Sequence, residues 1–280
     1  MIPLAVVTAS TTPTQAATAV NSWALPPEIP LIVVANGAGP MDWSAWTALP
    51  VSVLLSRGAC GPVAAFAAGV RAALDLGAAV IACLHDDLLL TPSDPPWWTV
   101  VTDHFQTHPQ CGLAGFGGAI GLGDPDIYRV PYAPSQLARR GFRSNLVDAE
   151  LHGVRSRLRC RVACLDGFSQ IGRRAFFLGE RADGATYPAP EPVWEALVAR
   201  GIVHHAYDSV LGALAARLGW ETWYLPQACL HLGGQTAVGD PTYQTWARTQ
   251  HPDGDQGFWA HAHVVAYDWL RDVLPLTVTP

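Results

Sequence analysis

Residues 51–87, VSVLLSRGACGPVAAFAAGVRAALDLGAAVIACLHDD, run through a strand, a helix and a second strand before ending on two adjacent carboxylates. The apolar run 51–55 reads as a buried strand, and 62–76 as a helix with Pro62 in its first turn and Gly77 at its end. The run 79–84 is again a strand. Working outward, 2–9 reads as a buried strand, 12–23 as a helix opened by the capping candidates Ser10, Thr11 and Thr12, and 30–35 as a further buried strand. Strands that alternate with helices in this way predict an α/β fold built on a mostly parallel, doubly wound sheet.

In such sheets ligands bind beyond the carboxyl ends of the strands. Three segments fall there: Thr8, Ala9 and Ser10; Asn36 to Gly39; and His85-Asp86-Asp87. Thr8, Ala9 and Asn36, with Arg57 just past the third strand, are therefore candidate ligand contacts.

Composition narrows the function classes. The 280 residues are 50% hydrophobic and 14% charged, enough to bury a sizeable core in one large α/β domain or two small ones. No apolar run approaches the ~20 residues needed to cross a bilayer, and residues 1–4 lack the basic start of a secretory signal, so a cytoplasmic location without membrane insertion is the default expectation. The six cysteines form no C-x-x-C pair and read as reduced core thiols. A net charge of -6 argues against a general nucleic-acid coat. All 17 basic residues are arginines, which excludes any mechanism that requires a lysine.

Beyond Asp87 the sequence predicts a helix over 97–108, a Gly-rich strand over 111–122, and an irregular stretch from 124 to about 150. Trp97-Trp98 reads as a packed helix start, with stacking on a sugar as the alternative. Arg155, Arg157, Arg159 and Arg161 alternate with Ser156, Leu158, Cys160 and Val162; as one strand they would put four guanidiniums on one face, either as a solvated edge or as a phosphate or acceptor contact. Leu211, Leu214, Ala215 and Leu218 lie on one helical face closed by Gly219, and 221–225 follows as a short strand. Two helix-like stretches around Trp246 and over 259–270 are expected to pack across the sheet or to form a homodimer contact.

The sharpest chemical feature is His85-Asp86-Asp87. Adjacent carboxylates at a strand end repel one another unless a cation neutralises them. Mg²⁺ or Mn²⁺ takes oxygen ligands, retains waters and can bridge the phosphates of a nucleoside diphosphate. The plain structural alternative is an Asp pair that caps a turn before Pro92. The pair His204-His205 is a minor candidate, because adjacent side chains point apart and seldom chelate together.

Four segments together resemble the large inverting glycosyltransferase family of the GT-A fold, which contains many bacterial rhamnosyl-, galactosyl- and glucosyltransferases. Leu84-His85-Asp86-Asp87 resembles its acidic "LDDD" motif, after a strand end 32–37 (IVVANG) like its nucleoside-binding strand. Leu165-Asp166-Gly167-Phe168, followed by 171–176 (IGRRAF), is similar to the segment that lines the acceptor side. His205-Ala206-Tyr207-Asp208 leads into a "YD…GY…YxP"-like block, and 230–234 (LHLGG) resembles "HxGG". The resemblance covers residues 2–236. It implies a Rossmann-like GT-A domain over 1–240, with a nucleotide-sugar half (1–122) and an acceptor half (123–240), and leaves a C-terminal helical extension over 241–280.

By the same resemblance Asp87 leads the metal ligands with His231, and His85 joins them as a candidate. Asp86 is a donor contact and a further candidate metal ligand, Asp166 faces donor sugar or acceptor, and Asp208 is the catalytic base. The cofactor implied is Mn²⁺ or Mg²⁺, with a UDP-, GDP- or TDP-sugar as donor. The acceptor class stays open among glycan, lipid, protein and a modified nucleic-acid base. Departures are visible too: Ala35 stands where relatives often carry an acid, Ala67 where Asn or Arg is common, and His85 where the first Asp of the motif belongs. A catalytically degenerate sugar- or nucleotide-binding protein of the same fold is the main alternative. A nucleotidyltransferase ranks below it, because residues 8–14 contain no Gly and the chain no Lys.

Overall fold

The computed structural model describes residues 2–36, 46, 51–56, 61–122, 141–146, 154–232, 241–274 and 276–279. Arg57, Cys60 and the glycines 37, 39, 233 and 234 lie outside the described residues.

The sheet is built from its centre. Strand β1 (Ile2–Ser10) pairs in parallel with β2 (Leu31–Ala35) on one side, and β2 pairs in parallel with β3 (Val53–Ser56). On its other side β1 pairs in parallel with β4 (Ala78–Leu84), which is followed by the short β5 (Leu88–Leu90). Helix α1 (Pro13–Trp23) covers one face and α2 (Pro62–Asp75) the other. Leu4, Val6 and Val33 pack towards Ala16, Ala19 and Trp23, while Ala5, Val7 and Ile32 pack towards Val63, Phe66 and Val70. Two buried faces explain why these strands are apolar without alternation. Each Val or Leu buried this way contributes about 1.5–3 kcal/mol.

Helix ends follow their sequence signals. Thr12 caps α1 by accepting from the Gln15 N–H at 3.3 Å, with Pro13 as the first helical residue. Gly77, at φ +81, ends the turn after α2 where a Cβ would be strained.

After helix α3 (Trp97–Thr107) the predicted single strand over 111–122 is three pieces: β6 (Cys111–Gly115), β7 (Gly117–Ala119) and β8 (Gly121–Leu122). Only β6 stays in the main sheet. β7 joins a second sheet with β9 (Phe142–Ser144), β10 (Val154–Arg155) and β12 (Cys164–Leu165), and the main sheet takes β11 (Cys160–Val162) at its edge. Strand β13 (Ser169–Arg173) inserts antiparallel between β4 and β6. Helices α4 (Arg174–Phe177), α5 (Val193–Ala199) and α6 (Tyr207–Arg217) follow, then β14 (Glu221–Tyr224), which runs parallel to β6. The order of the eight-stranded sheet is β11-β14-β6-β13-β4-β1-β2-β3. It is the mostly parallel α/β sheet that the alternation predicts.

The arginine row does not form one strand, contrary to the expectation from its alternation. Val154–Arg155 belongs to the small sheet and Cys160–Val162 to the large one. Between them the Ser156 hydroxyl donates to the Leu158 carbonyl at 3.0 Å and accepts from the Leu158 N–H at 3.3 Å. Such a local side-chain turn competes with the sheet ladder and breaks it. The four arginines therefore do not line one strand; Arg161 pairs with Glu221 at 3.6 Å, and Arg159 approaches His104.

Trp97 packs as a helix start, and its Nε1–H donates to the Trp23 carbonyl at 2.8 Å. Cys83, Cys111, Cys164 and Cys229 are buried, and burial pushes the Cys111 thiol up to about 12. The C-terminal helices α7 (Pro241–Gln250) and α8 (Gly254–Leu270) pack within the chain, with Ala262, Ala266 and Leu270 buried in the same core as Val210 and Ala213 of α6. Among the described residues no helix is long and apolar enough to cross a membrane.

Helix α6 can lie close on β12 only because residue 212 has no side chain. A Cβ there would stand 2.3 Å from the Ala163 carbonyl oxygen and 2.7 Å from Cys164 Cα, both backbone atoms that cannot swing aside. Gly212→Ala is expected to destabilise the fold by about 1–3 kcal/mol, the usual range for overpacking. Urea denaturation checks this, and an unchanged midpoint would show that the helix has room to shift.

Candidate functional site

The turn after β4 is where distant parts of the chain meet. The Leu88 N–H closes it on the His85 carbonyl at 3.2 Å, and the His85 N–H donates to the Phe168 carbonyl at 3.0 Å, continuing the β4–β13 ladder past Leu84. This brings the segment 166–168 alongside His85. Strand β15 (Cys229–His231) pairs antiparallel with β5 in register His231↔Leu88, and the Leu232 N–H donates to the Asp87 carbonyl at 3.1 Å. His231 is thereby set beside Asp87. The ribbon is held on α1, where the Trp23 indole donates to the Leu88 carbonyl at 2.8 Å and Ser22 accepts from the Leu90 N–H at 3.1 Å.

Within this frame His231 Nε2 lies 3.2 Å and His85 Nδ1 3.7 Å from Asp87 Oδ1. One ligand atom from each of the three residues falls within 4.8 Å of the others. Asp87 is 8% exposed, and its Oδ1 receives no aligned hydrogen bond despite the nearby imidazole. Burial pushes the Asp87 carboxyl up, but the His231 and His85 imidazoles outweigh that, and the group lies below its ordinary value. His85 is pushed down to about 4, chiefly by burial and against the charges of Asp87 and Asp166, and is neutral at physiological pH.

The set fits a divalent ion. Ligand atoms about 2.0–2.2 Å from one ion stand about 3.0–3.5 Å apart, close to the two spacings measured on Asp87 Oδ1. A buried carboxylate oxygen with no proton donor aligned to it is the other observation that a cation would satisfy.

Asp86 points away from this cluster. Its Oδ2 accepts a short hydrogen bond from the Ser10 hydroxyl at the carboxyl end of β1, and burial raises it to about 7. It is no member of the three-residue cluster, because neighbouring side chains after a strand face opposite ways. Thr8 is fully buried in β1 with its hydroxyl unpartnered, Ala9 is half-buried, and the Asn36 N–H donates to the Ser10 carbonyl at 2.8 Å.

Asp166 stands between β12 and β13, half-buried, and its charge acts on His85 and Tyr207. Asp208 sits in the first turn of α6, where its Oδ1 accepts from the Ser209 N–H at 2.7 Å. His205 is engaged elsewhere, with Nε2 2.8 Å from Asp255 Oδ1 of α8.

Two residues that the sequence reading quoted without assigning a role prove central. Tyr207 Oη lies 2.6 Å from His85 Nε2 and donates to the Gly167 carbonyl at 3.0 Å. Gly167 makes room for it, since a Cβ there would stand 2.5 Å from the Tyr207 hydroxyl. Both adjoin the carboxylates Asp166 and Asp208, and that adjacency was the one available signal.

A cavity of about 300 Å³ lined by Arg161, Trp220, Glu221 and Thr222 lies at the amino ends of β6 and β14, opposite the cluster, and contains none of these residues.

No family model and no curated protein matches the chain. Among solved structures it is similar to a mannosyltransferase, PcManGT from Pyrobaculum calidifontis in complex with GDP-Man and Mn²⁺, at 14% identity and TM-score 0.44 over 98% of this chain and 72% of that one. It is similar to TarS from S. aureus at 10% identity and TM-score 0.47 over 95% of this chain and 42% of that one, and to A197 from STIV at 11% and 0.40 over 82% and 85%. Likenesses this distant carry no weight beside the geometry of the cluster.

Proposed function

We propose that the chain is a metal-dependent, inverting glycosyltransferase that moves a sugar from a nucleotide-sugar donor to an acceptor hydroxyl. The observation that supports it most is the convergence of His85, Asp87 and His231 at the carboxyl end of β4, beside the ends of β1 and β2. Open α/β sheets bind their ligands at this edge.

Asp87, His231 and His85 would hold the ion, Mn²⁺ or a relative. When bound, such an ion stabilises charge growing on a leaving diphosphate. Asp86 with Ser10 and Asn36 borders the position for the nucleoside, and Asp166 faces the sugar. Asp208, on the helix whose first residue touches His85, takes the proton from the acceptor hydroxyl as it attacks the anomeric carbon in a single displacement. The acceptor is left unnamed, since fold does not determine it.

The test is release of nucleoside diphosphate from UDP-, GDP- and TDP-sugars by the full chain with Mn²⁺, alongside thermal shifts with the same ligands. Release from at least one donor, dependent on the ion, is the expected result. A thermal shift without release would identify a binding protein, and neither signal from any donor would sink the reading.

A further inference from the structure

We propose that Tyr207 is a positioning residue that fixes His85 in its Nε2–H tautomer, and that the resulting two-imidazole, one-carboxylate set selects a nitrogen-preferring transition ion over Mg²⁺. This rests on the metal reading above and specifies the class of ion.

A tyrosine hydroxyl has one proton. Here that proton goes to the Gly167 carbonyl, an oxygen that can only accept. At 2.6 Å from His85 Nε2 the same hydroxyl must therefore be the acceptor, and Nε2 must carry the hydrogen. In a neutral imidazole the lone pair is then on Nδ1, the atom that stands 3.7 Å from Asp87 Oδ1. Two acceptors face each other there with no proton between them. The arrangement is unfavourable alone and favourable around a cation. Histidine ligands commonly have the other ring nitrogen held by a hydrogen bond in this manner, and loss of that partner weakens metal binding about 10–100-fold.

Tyr207 is itself held firmly. It is 6% exposed, its ring packs 5.8 Å from that of Trp194, and it follows Ala206 at φ 65, a left-handed conformation that aims the first turn of α6 at the cluster. Phe66 stacks on His85 at 6.1 Å, and Phe168 packs tilted against His231 at 4.9 Å, which surrounds the two donor rings with apolar side chains.

The ion class follows from the donors. Mg²⁺ prefers oxygen ligands and near-ideal octahedral geometry, whereas imidazole nitrogen suits Zn²⁺, Fe²⁺, Co²⁺ and, less strongly, Mn²⁺.

The experiment titrates each metal alone, Mg²⁺, Mn²⁺, Co²⁺ and Zn²⁺, into the full chain by calorimetry, with the visible absorption of bound Co²⁺ as a second readout. Wild type is expected to bind Co²⁺ and Zn²⁺ at least about 100-fold more tightly than Mg²⁺. Tyr207→Phe keeps the packed ring and is expected to weaken Co²⁺ about 10–100-fold and shift its spectrum, with the metal-free melting temperature lowered modestly because the Gly167 carbonyl and the His85 Nε2–H each lose a buried partner. Mg²⁺ binding as tightly as Zn²⁺, or wild-type Co²⁺ affinity and spectrum in Tyr207→Phe, would overturn the proposal. If Tyr207→Phe misfolds, Gly167→Ala supplies a second displacement of the hydroxyl, read by the same spectrum. Metal selectivity as expected without sugar transfer would sink the glycosyltransferase reading and leave this one standing; no metal bound by wild type would overturn both.

Discussion

Asp87→Asn is expected to abolish the stabilisation that Mn²⁺ gives and to slow nucleoside diphosphate release by at least about 10³-fold, equivalent to about 4 kcal/mol of barrier. The substitution keeps shape and volume but removes the one charge shared by both histidines, which stand 3.2 and 3.7 Å from its Oδ1. Because the His231 imidazole, 3.2 Å away, holds the Asp87 carboxyl below its ordinary value against burial, its ionised form contributes some native stability above the ordinary carboxylate range, and the metal-free melting temperature should fall slightly rather than rise. The matched control is Asp183→Asn, at an exposed pair with Arg181, which should change neither readout. Differential scanning fluorimetry with and without Mn²⁺, paired with the release assay, decides the matter. Wild-type behaviour in Asp87→Asn would remove the cation from the mechanism.

Asp208→Asn should behave differently. A general base contributes about 10²–10⁴-fold, so kcat is expected to fall by that factor while donor KM and Mn²⁺ binding stay close to wild type. Asn retains the Oδ1 acceptor that takes the Ser209 N–H at 2.7 Å, so the start of α6 should be preserved. That separates catalysis from helix capping. If Asp208 only satisfies the helix terminus, turnover in Asp208→Asn will stay within about 2-fold of wild type, and the base must be sought at Asp166.

The parallel core was legible because its signals are local. Apolar runs of strand length, Thr12 with Pro13 at one helix start and Gly77 at another helix end each act within a few residues, and the observed bounds of β1, α1, β2, α2 and β4 differ from the predicted ones by no more than two residues. Strand ends in turn put the acidic turn at the ligand edge. Where the reading failed, local chemistry overrode periodicity. The alternation of Arg155 to Arg161 looked like a strand, but Ser156 turned the chain on itself through Leu158.

Tyr207 escaped for the opposite reason. Its partner His85 is 122 residues away, and no local pattern encodes that meeting. The quoted motifs were read for their carboxylates, so the phenol and the glycine beside them carried no assigned chemistry. Likewise Asp86 and Asp87 are indistinguishable as letters. The resemblance named Asp87 as the ligand, and the direction of each side chain, Asp86 to Ser10 and Asp87 to His231, supplies the physical reason.

The β5–β15 ribbon has a consequence for how the protein is made. Every strand of the eight-stranded sheet has been synthesised once translation passes Tyr224, yet the third donor to the cluster arrives only with His231. A nascent or prematurely terminated polypeptide could complete that sheet and still capture no ion through this triad, so metal uptake would report that the ribosome had gone past this point.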